Sequence, residues 1–164
     1  MEFPVMETTI WQAVPFLKHL IKGLAIHDVF DECFTVSELG CSYGKNTLLV
    51  ASNIIDIVHE VCQENYRKVQ FQMCLNDLFG NDFKKDKGES FGPCFVSAVP
   101  GSFYQRLFPD QCLHLGHNTN SNHWLSQVPH GLESNGSNIF IAKTSPPNVC
   151  QAYENQFHTD FKNF

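Results

Sequence analysis

A chain of 164 residues and 18.7 kDa fits one ordinary domain and leaves little room for a second fully formed one. Hydrophobic residues make up 43% and charged residues 17%, with 15 Phe to fill a core, so general disorder is excluded. Lys plus Arg number 11 against 17 Asp plus Glu, a formal charge of -6, and no basic stripe follows a phosphate backbone, which argues against a nucleic-acid partner.

Residues 9–26 set Trp11, Val14, Leu17, Leu20 or Ile21, and Leu24 near helical spacing, while Pro15 lacks an amide proton and confines the predicted helix mainly to 16–24. The segment 34–40 is rich in strand formers and ends at Gly40. A polar turn follows, then a helix from residue 48 whose Leu48, Ala51, Ile55, Val58 and Cys62 share a face and whose Asp56, His59 and Glu60 point outward. Strands are predicted at 69–78, 93–103 and 111–116, with a short helical turn from Tyr104 to Phe108 and a surface loop in the Lys- and Asp-rich stretch near 84–87.

Beyond the fourth strand a polar loop carries a small helical tendency at 121–126, and residues 138–143 form a short fifth strand. Residues 149–164 close as an amphipathic helix with Val149, Ala152, Tyr153, Gln156 or Phe157, and Phe161 on its apolar side. Alternating strands and helices of these lengths predict an α/β fold with a mostly parallel sheet.

Seven Cys without a CxxC pair suit reduced, mostly buried thiols better than a disulfide framework or a thiolate metal site. No apolar run reaches the ~18 residues of a membrane span, and the first residues have no basic segment followed by an apolar core. The expectation is a soluble, cytoplasmic protein with no membrane partner. His114, His117 and His123 straddle a strand and a loop without a zinc signature, and no serine has a spacing-based claim on a His and an acid.

In an open α/β sheet, ligands bind beyond the carboxyl ends of the strands, where three polar turns gather here. In the first, running 38–47, Gly40 and Gly44 admit close backbone approach, as an ordinary tight turn or as an adenosyl site; their spacing departs from the dinucleotide and phosphate-loop patterns. In the second, the carboxylate of Asp77 either caps a loop or accepts both hydroxyls of a ribose, with Leu78 over a purine face. In the third, Ser102 and Phe103 offer a hydroxyl and a ring to adenine, or Phe103 is plain core. His123 beside Trp124 either packs structurally or holds a flat organic substrate.

Taken together, the words Glu38-Leu-Gly-Cys-Ser-Tyr-Gly-Lys-Asn-Thr47, Leu75-Asn-Asp-Leu-Phe-Gly-Asn-Asp-Phe83, Phe91-Gly-Pro-Cys94, Val99-Pro-Gly-Ser-Phe-Tyr-Gln-Arg-Leu-Phe-Pro109, Trp124-Leu-Ser-Gln-Val-Pro129 and Ala142-Lys-Thr-Ser-Pro146 come in a specific order. In that order the chain resembles the plant SABATH methyltransferases: salicylate and jasmonate carboxyl methyltransferases and caffeine-pathway N-methyltransferases. The resemblance covers about residues 34–164 and leaves 1–33 as a divergent helical segment. It implies a partial Rossmann-like fold, truncated at both ends and lacking later strands and the helical cap.

It implies S-adenosylmethionine as cofactor, with Cys41 and Asn46 around its methionine part, Asp77 and Leu78 at the ribose, Ser102 and Phe103 at the adenine, and Glu38 where the family has aspartate. His123 and Trp124 match a substrate-orienting pair, and Asn120 stands where the family usually has tyrosine. Asn135 matches a position of a magnesium site. The implied activity is methyl transfer to the carboxylate of a small plant acid. The alternatives are N-methylation of a methylxanthine, or a noncatalytic cofactor-binding or interaction remnant. A homodimer is also implied.

Overall fold

Pro15 does not end the first helix. In the computed structural model, which describes residues 4–26, 33–42, 45–64, 69–83, 94–132, 135 and 141–164, helix α1 runs unbroken over Pro4–Ile26. Proline in a helix interior costs about 3 kcal/mol. Against that cost, Ile10, Leu17, Ile21 and Ala25 continue one buried stripe through the proline position, and each large apolar side chain so buried contributes about 1.5–3 kcal/mol. Tertiary burial outweighs the local signal.

Helix α2, Lys45–Glu64, follows strand β1, Cys33–Leu39. It buries Ala51, Ile55, Val58 and Cys62 as the sequence predicts, and also Val50, Ile54, Ile57 and Val61. The extra positions are buried because α2 packs against α1 as well as joining the core cluster of Phe34, Val36, Phe71 and Met73. Lys18 donates to Glu60 (2.6 Å) and Lys22 to Glu64 (3.0 Å), so two exposed ion pairs one helical turn apart bridge α1 and α2. The Lys18 hydrogen bond holds the Glu60 carboxyl below its ordinary range.

Strands β2, Gln70–Asp77, β3, Cys94–Pro100, and β4, Leu115–His117, complete a four-stranded sheet of order β3-β2-β1-β4 in which every pairing is parallel. The central strands β1 and β2 supply Phe34, Val36, Phe71, Met73 and Leu75 to the core. At the β3 edge, Phe95 and Val96 are exposed and only Cys94 packs against the core cluster. Burial pushes the Cys94 thiol up to about 11 and that of Cys74 up as well. All seven cysteines are thiols outside any disulfide.

The fourth strand is shorter and later than predicted. Residues 111–114 are not strand, since Gln111 turns the chain with φ +60° and the His114 side chain intervenes. His114 N–H donates to Thr35 O (2.9 Å), while its ring Nδ1 accepts the Thr35 N–H (3.0 Å) that a carbonyl would take in a ladder. Tyr104 to Phe108 is not helical; a turn over residues 102–105, closed by Gln105 N–H on Ser102 O (2.9 Å), stands at its start, and residues 121–126 are mostly turns and bends. Of the predicted fifth strand, residues 138–140 lie outside the described residues and residues 141–143 are not strand. No helix among the described residues is long and apolar enough to cross a membrane.

The described chain resolves into two units, Met1–Ser121 and Asn122–Phe164. The second contains helix α3, Pro147–Asn163, whose start is set by Pro147, with φ already helical and no amide proton to leave unpaired. Val149 is buried as predicted, but Phe157 and Phe161 are exposed, stacked with ring centroids 6.1 Å apart. The other buried residue of α3 is Asp160. Its carboxylate accepts from Ser126 N–H (2.8 Å), Ser126 Oγ (2.6 Å) and Gln156 Nε2 (2.8 Å).

Burial alone pushes the Asp160 carboxyl up, but the two bonds from Ser126 and the one from Gln156 outweigh it and hold it below its ordinary value. A carboxyl depressed in the folded state contributes stability that is present above the unfolded pKa and lost as pH falls through the folded one. Asp160→Asn is therefore expected to cost about 1–2 kcal/mol near neutral pH. It also removes part of the loss of stability below about pH 4. Urea unfolding of both proteins from pH 3 to 7 checks this; parallel curves across that range would refute the role of the carboxylate.

Candidate functional site

The sheet order creates a reversal. From β1 the chain moves outward through β2 to β3, then returns to place β4 on the other side of β1. Loops leaving the carboxyl ends of parallel strands diverge at such a point and open a crevice.

The turn after β1 is held in a conformation unusual for its residues. Gly40 has φ +69° and Ser42 φ +58°, and a left-handed non-glycine residue needs its neighbours to hold it. They do so from β2 and beyond. Cys41 N–H donates to Asn76 O (2.8 Å), Ser42 N–H to Asp77 Oδ2 (2.5 Å), and Asn81 Nδ2 to Ser42 O (2.7 Å). Cys41 is buried and its carbonyl accepts from Thr47 Oγ1 (2.6 Å) in the first turn of α2, beside the half-buried Asn46.

Asp77 takes one backbone donor on each oxygen, since Leu78 N–H reaches Oδ1 at 2.7 Å. Each carboxylate oxygen has capacity for a second donor. Leu78 itself is 60% exposed. The turn after β3 is bound to the same rim: Gly101 N–H donates to Asp77 O (2.8 Å), and the Asn76 amide reaches Val99 O (2.8 Å) and Gly101 O (3.0 Å). Beyond it Ser102 Oγ accepts from Tyr104 N–H (3.3 Å), and Phe103 tilts against Tyr104 with centroids 4.6 Å apart.

Gly40 links these pieces. A β-carbon there would lie 2.4 Å from Ser121 Oγ and 3.1 Å from a Phe103 ring carbon. Phe103 thus borders Gly40 while Asp77 binds Ser42, two residues away, an α-carbon separation of at most about 7 Å. An acid, a hydroxyl-bearing turn and an aromatic ring stand along one tripeptide, a spacing that suits a nucleoside.

On the β4 side, Glu38 is buried and its carboxylate bonds to His117 Nδ1 and to Thr119 N–H (3.1 Å). Asn120 is exposed with φ +61°, a conformation asparagine tolerates. In the second unit, the exposed rings of His123 and Trp124 pack on each other with centroids 5.2 Å apart. Asn135 is buried with its Oδ1 accepting from Ser145 Oγ (2.9 Å). Among the described residues no group of three His, Cys, Asp or Glu could hold a metal ion.

Sequence reasoning missed Asn76, Thr119 and Ser121, and weighed His117 only as a metal ligand. Asn76 left a signal, being a polar residue directly after the apolar run Met73 to Leu75 of β2. The others act through β4, whose place beside β1 no local pattern reveals.

The family model for S-adenosylmethionine-dependent carboxyl methyltransferases matches residues 5–164. A benzoic acid/salicylic acid carboxyl methyltransferase of Petunia hybrida is 46% identical over 83% of this chain and 42% of its own length. A 3,7-dimethylxanthine N-methyltransferase of Camellia sinensis is 43% identical over 93% of this chain and 46% of its own. A solved structure of a loganic acid methyltransferase with S-adenosylhomocysteine superposes with a TM-score of 0.81 at 28% identity, over 97% of this chain and 48% of that one. The chain spans about half the length of the curated relatives it matches.

Proposed function

The chain belongs to the SABATH family of S-adenosylmethionine-dependent methyltransferases, and from that premise we propose that it binds S-adenosylmethionine at the rim formed by Gly40, Asp77 and Phe103 and serves methyl transfer to the carboxylate of a small plant acid. The single observation that carries this reading is Asp77, fixed by two backbone donors with acceptor capacity left on both oxygens. That arrangement suits the paired hydroxyls of a ribose. Phe103 offers a ring to adenine, Ser102 a hydroxyl and Leu78 an apolar cover, while Cys41 and Asn46 border the methionine side.

Bound S-adenosylmethionine supplies a methyl group on a sulfonium sulfur, which passes to an acceptor oxygen or nitrogen as the methyl–sulfur bond breaks and the sulfur keeps the electron pair. A carboxylate is already a nucleophile at neutral pH, so the work of the chain is to hold, align and dry the reactants. In this reading the rings of His123 and Trp124, within the second unit, suit a flat acceptor. Transfer to a purine nitrogen is the second reading, favoured by the 43% identity to the dimethylxanthine enzyme.

Calorimetry of the purified chain with S-adenosylmethionine and S-adenosylhomocysteine, followed by labelled methyl transfer to small acids and methylxanthines, tests the proposal. Saturable binding and label on an acid are expected. Label on a methylxanthine alone selects the second reading, binding without transfer to either leaves a noncatalytic cofactor-binding chain, and no binding overturns the site.

A further inference from the structure

Glu38 lies one residue before the end of β1, directly across from His117 in the β1–β4 register, so the pair spans the reversal in the sheet. Both of its oxygens are engaged on the β4 side. His117 Nδ1–H donates to Oε2 and Thr119 N–H to Oε1 (3.1 Å), and Glu38 is only 2% exposed. Two residues on, Ser121 Oγ donates to Leu39 O (2.8 Å), while Ser121 N–H bonds back to Asn118 Oδ1 (3.1 Å). The segment from His117 to Ser121 is therefore fastened to the exit of β1 at consecutive residues, Glu38 and Leu39. Ser121 then fills the space over Gly40 that a β-carbon would occupy, next to Phe103.

We propose that Glu38 is a positioning residue: its carboxylate clamps the 117–121 segment across the sheet reversal and so sets the wall above Gly40 and the placement of Asn120, acting on ligand only through that segment. The proposal rests on the nucleoside site described above and assigns Glu38 a task distinct from contact with cofactor. A carboxylate is needed because both partners are donors, a backbone N–H and the imidazole Nδ1–H. Glutamine keeps an acceptor for Thr119 but turns an amide donor toward His117. The imidazole then has to move its proton to Nε2 so that Nδ1 can accept. Aspartate, shorter by one methylene, reaches one partner and leaves the other.

Nitrogen-15 NMR of the full chain labelled in histidine, with His117→Gln to assign the ring, reads the clamp directly. In the wild-type chain His117 is expected to carry its proton on Nδ1, and in Glu38→Gln on Nε2, with the amides of Thr119 and Ser121 and the ring of Phe103 shifted. In the same samples S-adenosylhomocysteine binding is expected to weaken about 3- to 10-fold in Glu38→Gln, roughly the loss of one hydrogen bond's alignment, and to remain saturable.

A wild-type His117 without a proton on Nδ1, or Phe103 and Ser121 signals unmoved in Glu38→Gln, overturns the clamp. Unchanged affinity despite a shifted segment overturns its consequence for the ligand. Should the wild-type chain bind no S-adenosylhomocysteine, the site reading fails, while the His117 and Phe103 signals still decide whether Glu38 positions the segment.

Discussion

Asp77→Ala is expected to lower affinity for S-adenosylhomocysteine by about 100-fold or more, the largest loss of any single change at the rim. A hydrogen bond to a charged group contributes about 1.5–3 kcal/mol, and a ribose offers Asp77 two hydroxyl donors. Two such bonds lost amount to about 3–6 kcal/mol, or roughly two to four orders of magnitude in Kd. The substitution also strips the acceptor from Ser42 N–H, which holds a left-handed residue in place.

Asp77→Asn retains one acceptor oxygen, so a smaller loss, about 10-fold, is expected. Calorimetry measures both, and thermal unfolding without ligand separates damage to the turn from loss of ligand contact. Affinity within twofold of wild type in Asp77→Ala would place the ribose elsewhere.

Gly40→Ala is expected to destabilise the fold by about 2–5 kcal/mol, from two separable causes. A left-handed φ of +69° costs an L-residue about 1–2 kcal/mol. The new methyl would also lie 2.4 Å from Ser121 Oγ and 2.5 Å from Ser121 Cβ, and forcing an extra carbon into a packed site typically costs about 1–3 kcal/mol. The double substitution Gly40→Ala with Ser121→Gly removes the collision with Ser121 but keeps the backbone strain and loses the Ser121 Oγ–Leu39 O bond, so it should recover at most the second part. Urea unfolding midpoints give both quantities. An unchanged midpoint in Gly40→Ala, or full recovery in the double variant, would contradict the packing described here.

The three turns were legible in the sequence because turn chemistry is local. Gly40, Asp77 and the Ser102-Phe103 pair each follow an apolar run, and strand ends of an α/β sheet are where ligand groups belong. Their convergence was not legible, because it depends on strand order, and nothing near residue 117 says that β4 lies beside β1 rather than beside β3. The same non-local packing hid the partners of Glu38, which are His117 and Thr119.

Pro15 misled by a local cost that burial of Ile10 and Leu17 on either side outweighs. His114 misled in the other direction: a strand-forming stretch fails because a ring nitrogen takes the place of a carbonyl in the ladder. On α3, helical periodicity found the element but not its buried acid. Asp160 sits beside the buried Val149 side of the helix because Ser126 and Gln156 satisfy it, while the stacked Phe157 and Phe161 face solvent.

Everything functional rests on one adenosine lying along the rim from Asp77 to Phe103. A structure of the chain with S-adenosylhomocysteine, or intermolecular nuclear Overhauser effects in its complex, measures this directly. The account predicts ribose hydroxyls on both Asp77 oxygens and adenine protons in contact with the Phe103 ring. An adenosine bound with either residue out of contact would contradict it.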